Sequence, residues 1–472
     1  MKTSRSQYGF TLFSARNQNN FKHEINLVIM KKILMFLLAM VLIRATLAQS
    51  LNQELDSVMH SYQRVHRFNG TVLVAKNGSV LLEKGYGYSD FRTAKLNGAQ
   101  SVYMIASMTK QFTAAVVLKL VAENRIKISD PISKFFPAYA NGNHITIYHL
   151  LTHTSGIPDY PRDSIFMASH KKVSVSEALL QYDKSDFAPG TEWRYSNVGY
   201  QLLGEIIAKV TGMSYFEAVR RYIFYPLGMT HSGFDFVGLK SNAKTTGYWS
   251  WPEKNNAEEA IIIDSSASSA AGAIYSTVGD LYKWHQALQD YRIIPKKLLD
   301  QAYTPFKNHY GFGWFADSLY GRRILSHSGD TWGFKSNIAR VTEDDVCVIL
   351  LNNIEDEEMR GAVTNDVLAV LYRRPYHLPV FHEEISLGDK ILKNYVGNYQ
   401  LQGFTMTISL DSGRLWATPQ GQEASRIYPE KENLFFSRVV DAELEFVTDD
   451  RGQISSVIIK QGGHEMKGEK VH

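Results

Sequence analysis

Residues 107–121 read SMTKQFTAAVVLKLV, and this stretch decides the fold prediction. The apolar run after Lys110 is long enough to predict a buried helix. Ser107 and Lys110 are three residues apart, so a helix places them on one face. A serine hydroxyl is a good nucleophile only when a nearby base takes its proton. Ser107 would also lie in the first turn, where unpaired N–H groups favour a developing oxyanion. The stretch therefore predicts an acyl-transfer site.

The Ser-x-x-Lys spacing is not specific by itself. It also occurs at Ser169/Lys172 and Ser241/Lys244, about as often as chance predicts in a chain of 472 residues. Only the serine at 107 precedes an apolar run of helical length. Serine is also a common helix N-cap, and the local sequence leaves the catalytic and the capping role equally open.

The composition sets limits on the class of protein. A chain of 472 residues is too long for one ordinary core, so we expect two domains. The formal net charge is +4, and no basic stripe is present, which argues against nucleic acid as a partner. The one cysteine, Cys347, lies in an apolar run and predicts a buried strand rather than a catalytic thiol.

Residues 1–48 are predicted to be an N-terminal extension and a secretory signal. Two lysines precede the apolar run Ile33–Ile43, which is too short to span a bilayer comfortably, and small residues lead to a cleavage site near Ala48. We therefore expect export to the periplasm or medium and no stable membrane span. An uncleaved anchor is the alternative, and translation from Met1 or from Met30 stays open.

Residues 49–372 are predicted to form one α/β (α+β) domain. Asn77-Gly78 joins two strand-like runs and is a strong hairpin signal. Further strand-like runs fill 324–353, whereas helical patterns lie between. One of them runs from about Tyr200 to Val210 and is predicted to stop at Thr211-Gly212, with glycine as its C-cap. We expect a sheet assembled from the two ends of the domain, with helices packed on it.

The C-terminal part has a different pattern. Residues 373–386 are predicted to be a linker, and residues 387–472 a small all-β domain, either an antiparallel barrel or a sandwich. The predicted strands are Tyr395–Gln400, Phe404–Leu410, Arg414–Thr418, Ser425–Tyr428, Asn433–Ser437, Glu443–Val447 and Ile454–Lys460.

Two further clusters carry polar side chains suited to acyl transfer. If the segment before the second helix is extended, Tyr195 and Asn197 point to the same side. A phenol near an ammonium can pass a proton, and an amide can bind a carbonyl or orient a lysine. The third cluster, His327-Ser328-Gly329, offers donors beside a glycine that would let a substrate backbone approach.

The three clusters, in this order, resemble the motifs of the serine β-lactamase and penicillin-binding protein superfamily, in its class C β-lactamase and D-Ala-D-Ala carboxypeptidase branch. The resemblance covers about residues 55–370. It implies a β-lactamase/transpeptidase-like fold, which is an antiparallel sheet flanked by helices plus a helical region. Further matching patches are Leu150–Gly156, Pro189-Gly190, Tyr195–Tyr200, Pro226–Met229 and Gly272 with Ser276 and Asp280.

The resemblance implies a role for each motif residue. Ser107 would be the acylated nucleophile, and Lys110 would be the base that activates it, alone or with Tyr195. Tyr195 would also protonate the leaving group. Asn197 would contact the substrate amide and Lys110.

The same resemblance implies a substrate-binding strand. His327 would take the place of a lysine that often binds the substrate carboxylate, with Ser328 and Gly329 beside it. The backbone N–H groups of Ser107 and Asp330 would form the oxyanion hole. No metal and no organic cofactor is implied, and the partner would be a small-molecule or peptide substrate: a cell-wall peptide, a β-lactam or an ester.

Histidine in the third motif is a departure from typical class C β-lactamases, which have lysine. A neutral imidazole binds a carboxylate less firmly than an ammonium. The histidine resembles carboxypeptidase, D-aminopeptidase and esterase members, so we expect a D-Ala-D-Ala carboxypeptidase-like serine hydrolase. A true β-lactamase, an esterase or D-aminopeptidase, and a catalytically silent penicillin-binding sensor remain alternatives.

Two other sequence features have competing interpretations. His149 and His153 have the spacing of a metal pair but lack a nearby third ligand, so a metal site is not expected. Tyr395–Tyr399 and Gly462-Gly463-His464 resemble the lipocalin-like barrel appended to bacterial serine hydrolases of this superfamily. That barrel would cover the site, bind a second protomer or bind a ligand, and the sequence also leaves the oligomeric state open.

Overall fold

A computed structural model describes residues 49–471, apart from 160–184, 253–256, 263, 357–358, 438–439, 441 and 462–463. The predicted extension and signal at 1–48, the Ser169/Lys172 pair and Gly462-Gly463 lie outside the described residues. The chain divides into two compact units, 1–56 and 57–472. The described residues 49–56 of the first unit are helical, and this helix ends at residue 64.

A six-stranded antiparallel sheet forms from the two ends of the α/β part (described residues from 57 to 372), as predicted. Asn77 and Gly78 both have positive φ, as a two-residue hairpin turn requires. The two central strands are Val346–Asn352 and Phe334–Val341, and all their side chains are buried. Helices Val278–Gln289 and Met359–Leu371 pack against them. The strands, in spatial order, are β2 (Ser79–Tyr86), β1 (Gly70–Lys76), β10 (Val346–Asn352), β9 (Phe334–Val341), β8 (Arg322–Thr331) and β7 (Phe315–Leu319).

Helices occupy the middle of the α/β part. The helix Thr109–Ala122, called the nucleophile helix after the predicted role of Ser107 just before it, is buried on nearly every side, in line with its continuous apolar sequence. The tyrosine-motif helix, Asn197–Thr211, ends at Gly212, which adopts φ 74° as a left-handed cap. The other helices include Ile147–Leu151, Tyr215–Val219, Tyr225–Leu227, Ser265–Gly272, Val278–Gln289, Lys296–Ala302, Met359–Leu371 and Asp389–Leu392.

Short elements complete the α/β part. One two-stranded sheet pairs β3 with β4, and another pairs β5 with β6. Their bounds are β3 (Tyr88–Asp90), β4 (Lys95–Leu96), β5 (Tyr103–Met104) and β6 (Tyr275–Ser276). Cys347 is a buried, unpaired thiol in β10, as predicted. Among the residues that the structure describes, no helix combines the length and apolarity needed to cross a membrane.

The C-terminal part is a closed eight-stranded barrel, so the choice between barrel and sandwich is decided for the barrel. The sequence patterns predicted seven of its strands. They missed the last strand, β18 (His464–Val471), whose side chains are mostly exposed. Pairing with β17 and β11 forms that strand, because it closes the ring. The strands are β11 (Gly397–Gln400), β12 (Thr405–Asp411), β13 (Arg414–Pro419), β14 (Ser425–Pro429), β15 (Leu434–Ser437), β16 (Ala442–Thr448), β17 (Ile454–Gln461) and β18 (His464–Val471).

Candidate active site

Ser107 lies in a short 3₁₀ turn, Ala106–Met108, directly before the nucleophile helix. Ala106 adopts φ 45°, a left-handed conformation that non-glycine residues rarely take. Ala106 and Met108 are buried, whereas Ser107 is partly exposed. The turn therefore presents the serine hydroxyl at the surface of the core, where a substrate can reach it.

The Lys110 side chain is completely buried, and its amine lies between three oxygen atoms. The amine nitrogen is 3.0 Å from Ser107 Oγ, 2.9 Å from Asn197 Oδ1 and 2.8 Å from the Ala271 carbonyl oxygen. The structure thus brings Asn197, which is 87 residues from Lys110 in the sequence, next to the Ser107/Lys110 pair.

Burial and the oxygen partners of Lys110 determine how its amine can act as a base. Burial lowers the pKa of Lys110 to about 7, and the negative charge of Asp159 partly opposes that shift. A neutral amine has two hydrogens and one lone pair. The Asn197 and Ala271 oxygens can only accept, so they take the two hydrogens, and the lone pair is left for the hydroxyl hydrogen of Ser107. This is the arrangement that a general base needs.

Asp159 holds Asn197 in place, and the sequence patterns did not single it out. Its carboxylate accepts hydrogen bonds from the Asn197 backbone N–H at 2.9 Å, the Asn197 side-chain amide at 3.1 Å and the Val198 N–H at 3.1 Å. Asp159 follows the Leu150–Gly156 patch by three residues. An acidic residue just beyond that patch was the available signal.

Tyr195 lies beside the amine. Lys110 Nζ is 4.7 Å from the centre of the Tyr195 ring, within the range of a cation–π contact. The imidazole ring of His153 packs against the Tyr195 ring, with the two ring centroids 4.2 Å apart. The backbone N–H of Ser196 donates to His153 Nδ1 at 3.1 Å. His153 belongs to the Leu150–Gly156 patch and was also considered as a metal ligand. In the structure it supports the segment that carries Tyr195.

His327 is buried, and both its ring nitrogens have partners. Nδ1 lies 2.6 Å from the Ser328 carbonyl oxygen, which can only accept, so Nδ1 carries the hydrogen. Nε2 then accepts from the Tyr310 hydroxyl at 3.0 Å. Burial and the nearby Lys110 lower the pKa of His327 to about 3. A neutral imidazole whose two nitrogens are both hydrogen-bonded supplies no positive charge. The predicted contact of His327 with a substrate carboxylate stays a prediction.

Gly329 lies where β8 approaches the turn before Ser107. A Cβ atom there would come within 1.9 Å of the Ile105 carbonyl oxygen, so only glycine fits. The sequence suggested that this glycine makes room for a substrate; in the structure it makes room for the chain's own backbone. The Ser336 hydroxyl fixes the same carbonyl at 2.8 Å.

Asp330 follows Gly329 at the end of β8, and Ser328 is partly exposed on the same strand. The Asp330 carboxylate pairs with Lys335, and with Arg360 at 3.1 Å. Arg360 also donates to the Gly329 carbonyl oxygen at 3.0 Å. These contacts fix the strand end next to Ser107. Assignment of the Ser107 and Asp330 N–H groups as the oxyanion hole stays a prediction.

The possible metal pair has another explanation. His149 Nδ1 accepts from the Thr146 backbone N–H at 3.2 Å, and the Thr146 hydroxyl accepts from the His149 N–H at 3.4 Å. This reciprocal pair is a capping box at the start of a short helix. Within the described parts of the chain, no group of three or more His, Cys, Asp or Glu side chains is arranged to hold a metal ion.

A separate cavity of about 990 Å³ lies where the barrel meets the α/β part. Ser107, Lys110, Tyr195 and Asn197 are not among the residues that line it. Residues from both parts form its walls, among them His66, Trp251, Glu355, Arg426, Tyr428 and Phe435.

Comparison with known proteins gives two family matches. Residues 53–373 match the Beta-lactamase family, and residues 382–470 match a domain of unknown function (DUF3471). A penicillin-binding protein of Bacillus subtilis (strain 168) is 28% identical over 449 residues, which cover 88% of this chain and 98% of that protein.

Solved structures share the fold. The octameric penicillin-binding protein homologue from Pyrococcus abyssi superposes with a TM-score of 0.64 at 23% identity, covering 88% of this chain and 99% of that one. The D-amino acid amidase from Ochrobactrum anthropi SV3 superposes with a TM-score of 0.59 at 24% identity, covering 68% and 99%. The β-lactamase-like fold and the lipocalin-like C-terminal barrel, both expected from the sequence, are thus confirmed.

Proposed function

We propose that this chain, which belongs to the Beta-lactamase family, is an exported serine hydrolase. Its activity would be of the D-Ala-D-Ala carboxypeptidase type. It would form an acyl-enzyme on Ser107. The observation that carries the proposal is the buried amine of Lys110, held 3.0 Å from Ser107 Oγ. The proposal of export rests on the sequence of residues 1–48.

The acylation step follows from this geometry. The Ser107 hydroxyl gives its proton to Lys110 Nζ while Oγ bonds to the carbonyl carbon of the substrate. Negative charge develops on the carbonyl oxygen, which the N–H groups of Ser107 and Asp330 would stabilise. The C–N bond then breaks. The proton passes from Lys110, through Tyr195, to the leaving amine, and an acyl ester remains on Ser107.

Deacylation reverses the proton movements. Water takes the place of the amine. Its proton passes through Tyr195 to Lys110 while its oxygen bonds to the ester carbon. The bond to Ser107 Oγ breaks, and the serine regains its proton. No resident cofactor enters either step, because the nucleophile, the base and the oxyanion donors all come from the chain.

The substrate class is supported by relatives and by one residue type. A relative that aligns over 98% of its length is a penicillin-binding protein, and a structure with this fold is a D-amino acid amidase. Both favour amide bonds. His327 stands where typical class C β-lactamases have lysine, and its low pKa keeps it neutral. We therefore place peptide or amide hydrolysis before fast β-lactam hydrolysis, with esterase and D-aminopeptidase activity as the second candidate.

The test is covalent labelling of the purified mature protein by a fluorescent penicillin and by a fluorophosphonate. The wild type should be labelled, and Ser107→Ala should lose the label while keeping its thermal unfolding temperature. Ser241→Ala is the matched control, since Ser241 belongs to another Ser-x-x-Lys pair and is exposed. It should label normally. A wild type that neither probe labels would support the silent-sensor alternative.

Turnover then selects the substrate. Nitrocefin, a D-Ala-D-Ala peptide, a D-amino-acid amide and a short-chain nitrophenyl ester should be compared with the same preparation. Release of D-alanine with slow release of penicillin is the expected result. Nitrocefin as the best substrate would contradict the proposed preference and identify a β-lactamase.

A further inference from the structure

We propose that Asp159 is a positioning residue: it fixes the orientation of the Asn197 amide so that the lone pair of Lys110 points at Ser107. The inference rests on the proposed function, because it concerns the base of the same reaction. It adds an acidic residue to those of the three motifs. Asp159 acts on the Ser107 hydroxyl only indirectly, through the side chains of Asn197 and Lys110.

The orientation of an asparagine amide is set by its partners. An ionised carboxylate only accepts hydrogen bonds, so the NH₂ group of Asn197 must face Asp159, as the 3.1 Å contact shows. The carbonyl oxygen of the same amide then faces Lys110, at 2.9 Å. With the amide reversed, NH₂ would oppose the N–H groups of Lys110, and an oxygen would oppose the carboxylate.

This orientation determines where the Lys110 lone pair points. With Asn197 Oδ1 and the Ala271 carbonyl oxygen both accepting, the neutral amine uses both its hydrogens there. The remaining direction is towards Ser107. Without a fixed acceptor at Asn197, the amine can rotate and donate to the serine instead, which leaves the hydroxyl without a base.

The charge of Asp159 has a second effect. Burial lowers the pKa of Lys110, and the negative charge of Asp159 raises it. Replacing that charge by a neutral amide should therefore lower the pKa of Lys110 below about 7. The neutral, active form of the base would then appear at lower pH.

Burial moves the pKa values of three neighbours of Lys110 (His153, His327 and Tyr200) away from pH 7. Burial holds the pKa of His153 well below its usual range and that of His327 at about 3. Burial also raises the pKa of Tyr200, whose ring centre is 5.7 Å from the Lys110 amine. The Tyr195 ring is the remaining close neighbour. An ionisation near pH 7 in the acylation rate is therefore assigned to Lys110.

A purely structural role for Asp159 is the competing explanation. Its carboxylate also accepts from the first backbone N–H groups of the tyrosine-motif helix, and so acts as a cap. Ser196 caps the same helix independently, with its hydroxyl accepting from the Gly199 N–H at 3.2 Å. Loss of a cap lowers stability but does not change the pKa of Lys110, so the two roles differ in a measurable way.

The experiment measures the acylation rate constant against pH for wild type, Asp159→Asn and Asp159→Glu. For the wild type, the rate should rise as pH increases through about 7, as neutral Lys110 forms. For Asp159→Asn, the rise should move about one pH unit lower, and the plateau should fall about tenfold because the Asn197 amide is no longer fixed. Asp159→Glu keeps the charge but misplaces it, so only the plateau should fall.

Ser196→Ala is the matched control. It should lower the unfolding temperature without moving the pH midpoint. A pH midpoint for Asp159→Asn equal to that of the wild type, or a shift that Ser196→Ala reproduces, would overturn the inference.

An NMR titration of ¹³Cε-labelled lysine, with the Lys110 signal assigned from Lys110→Met, measures the same pKa without any substrate. It separates the two proposals. If no probe labels the wild type, the proposed function fails, while a lower pKa of Lys110 in Asp159→Asn still supports the role of Asp159. An unchanged pKa refutes that role even if labelling is normal.

Discussion

The α/β part and the barrel differ in what they bury. The α/β part encloses ionisable side chains, among them Lys110, His153, His327 and Arg340. Among the described residues of the barrel, the buried polar side chain is Ser456, and the rest of the interior is apolar. Burying an ionisable group is costly unless it is paired or becomes neutral. The difference indicates that the chemistry belongs to the α/β part and that the barrel interior serves stability.

The partners of the buried groups support this conclusion. Lys110 is surrounded by oxygens on three sides, and His327 by a carbonyl and a phenol. These partners hold each side chain in one orientation, while burial lowers the pKa of both groups. In the barrel, Phe446 contacts Tyr395, Tyr399 and Phe435 through ring edges and faces. Such contacts favour one packing arrangement but offer no proton.

The largest effect should come from Lys110→Met. Methionine fills a similar volume without a base, so the acylation rate should fall by about 10²–10⁴-fold, the usual contribution of a general base. Stopped-flow labelling with fluorescent penicillin measures this, and circular dichroism checks the fold. Lys209→Met, at an exposed lysine of the tyrosine-motif helix, is the control. Wild-type acylation by Lys110→Met would show that this buried amine is structural and would remove the basis of the comparison.

A smaller effect is expected from Gly329→Ala. The added Cβ would collide with the Ile105 carbonyl oxygen, so β8 and the turn that carries Ser107 must move apart. A shift of about 1 Å in reacting groups can cost about 10²-fold in rate. The matched control is Gly361→Ala, on a helix where a Cβ meets nothing within 4 Å. Equal acylation rates for the two variants would contradict the close approach of β8 to the nucleophile turn.

The smallest effect on acylation should come from Phe446→Ala in the barrel core, where Phe446 is 1% exposed. Truncation of such a residue destabilises a domain by about 3–5 kcal/mol, because it leaves a cavity. Calorimetry should show this loss, while the acylation rate at low temperature changes by less than about twofold. Phe381→Ala, at a phenylalanine 47% exposed, should change neither quantity. A parallel loss of acylation in Phe446→Ala would show that the barrel shapes the active site.

Much of the fold was predictable from local patterns. The hairpin at Asn77-Gly78, the helix end at Gly212 and the strand around Cys347 were all predicted, because backbone sterics and hydrophobic periodicity act over a few residues. β18 was not predicted: its exposed sequence lacks the alternation of a half-buried strand. Its two neighbours in the ring supply the hydrogen bonds that make it a strand.

The active site, like the fold, was predictable from local sequence only in part. The three-residue spacing was enough to predict that Lys110 lies near Ser107, although Ser107 lies in the turn directly before the helix of Lys110. Three facts came only from the tertiary structure: Asp159 accepts a hydrogen bond from the Asn197 amide, His327 is buried with both nitrogens hydrogen-bonded, and Gly329 lies against the backbone before Ser107. Each depends on atoms from segments far apart in the chain. Local sequence therefore determined which groups could do the chemistry, whereas long-range packing decided their orientation and protonation, because both depend on the distant neighbours that folding supplies.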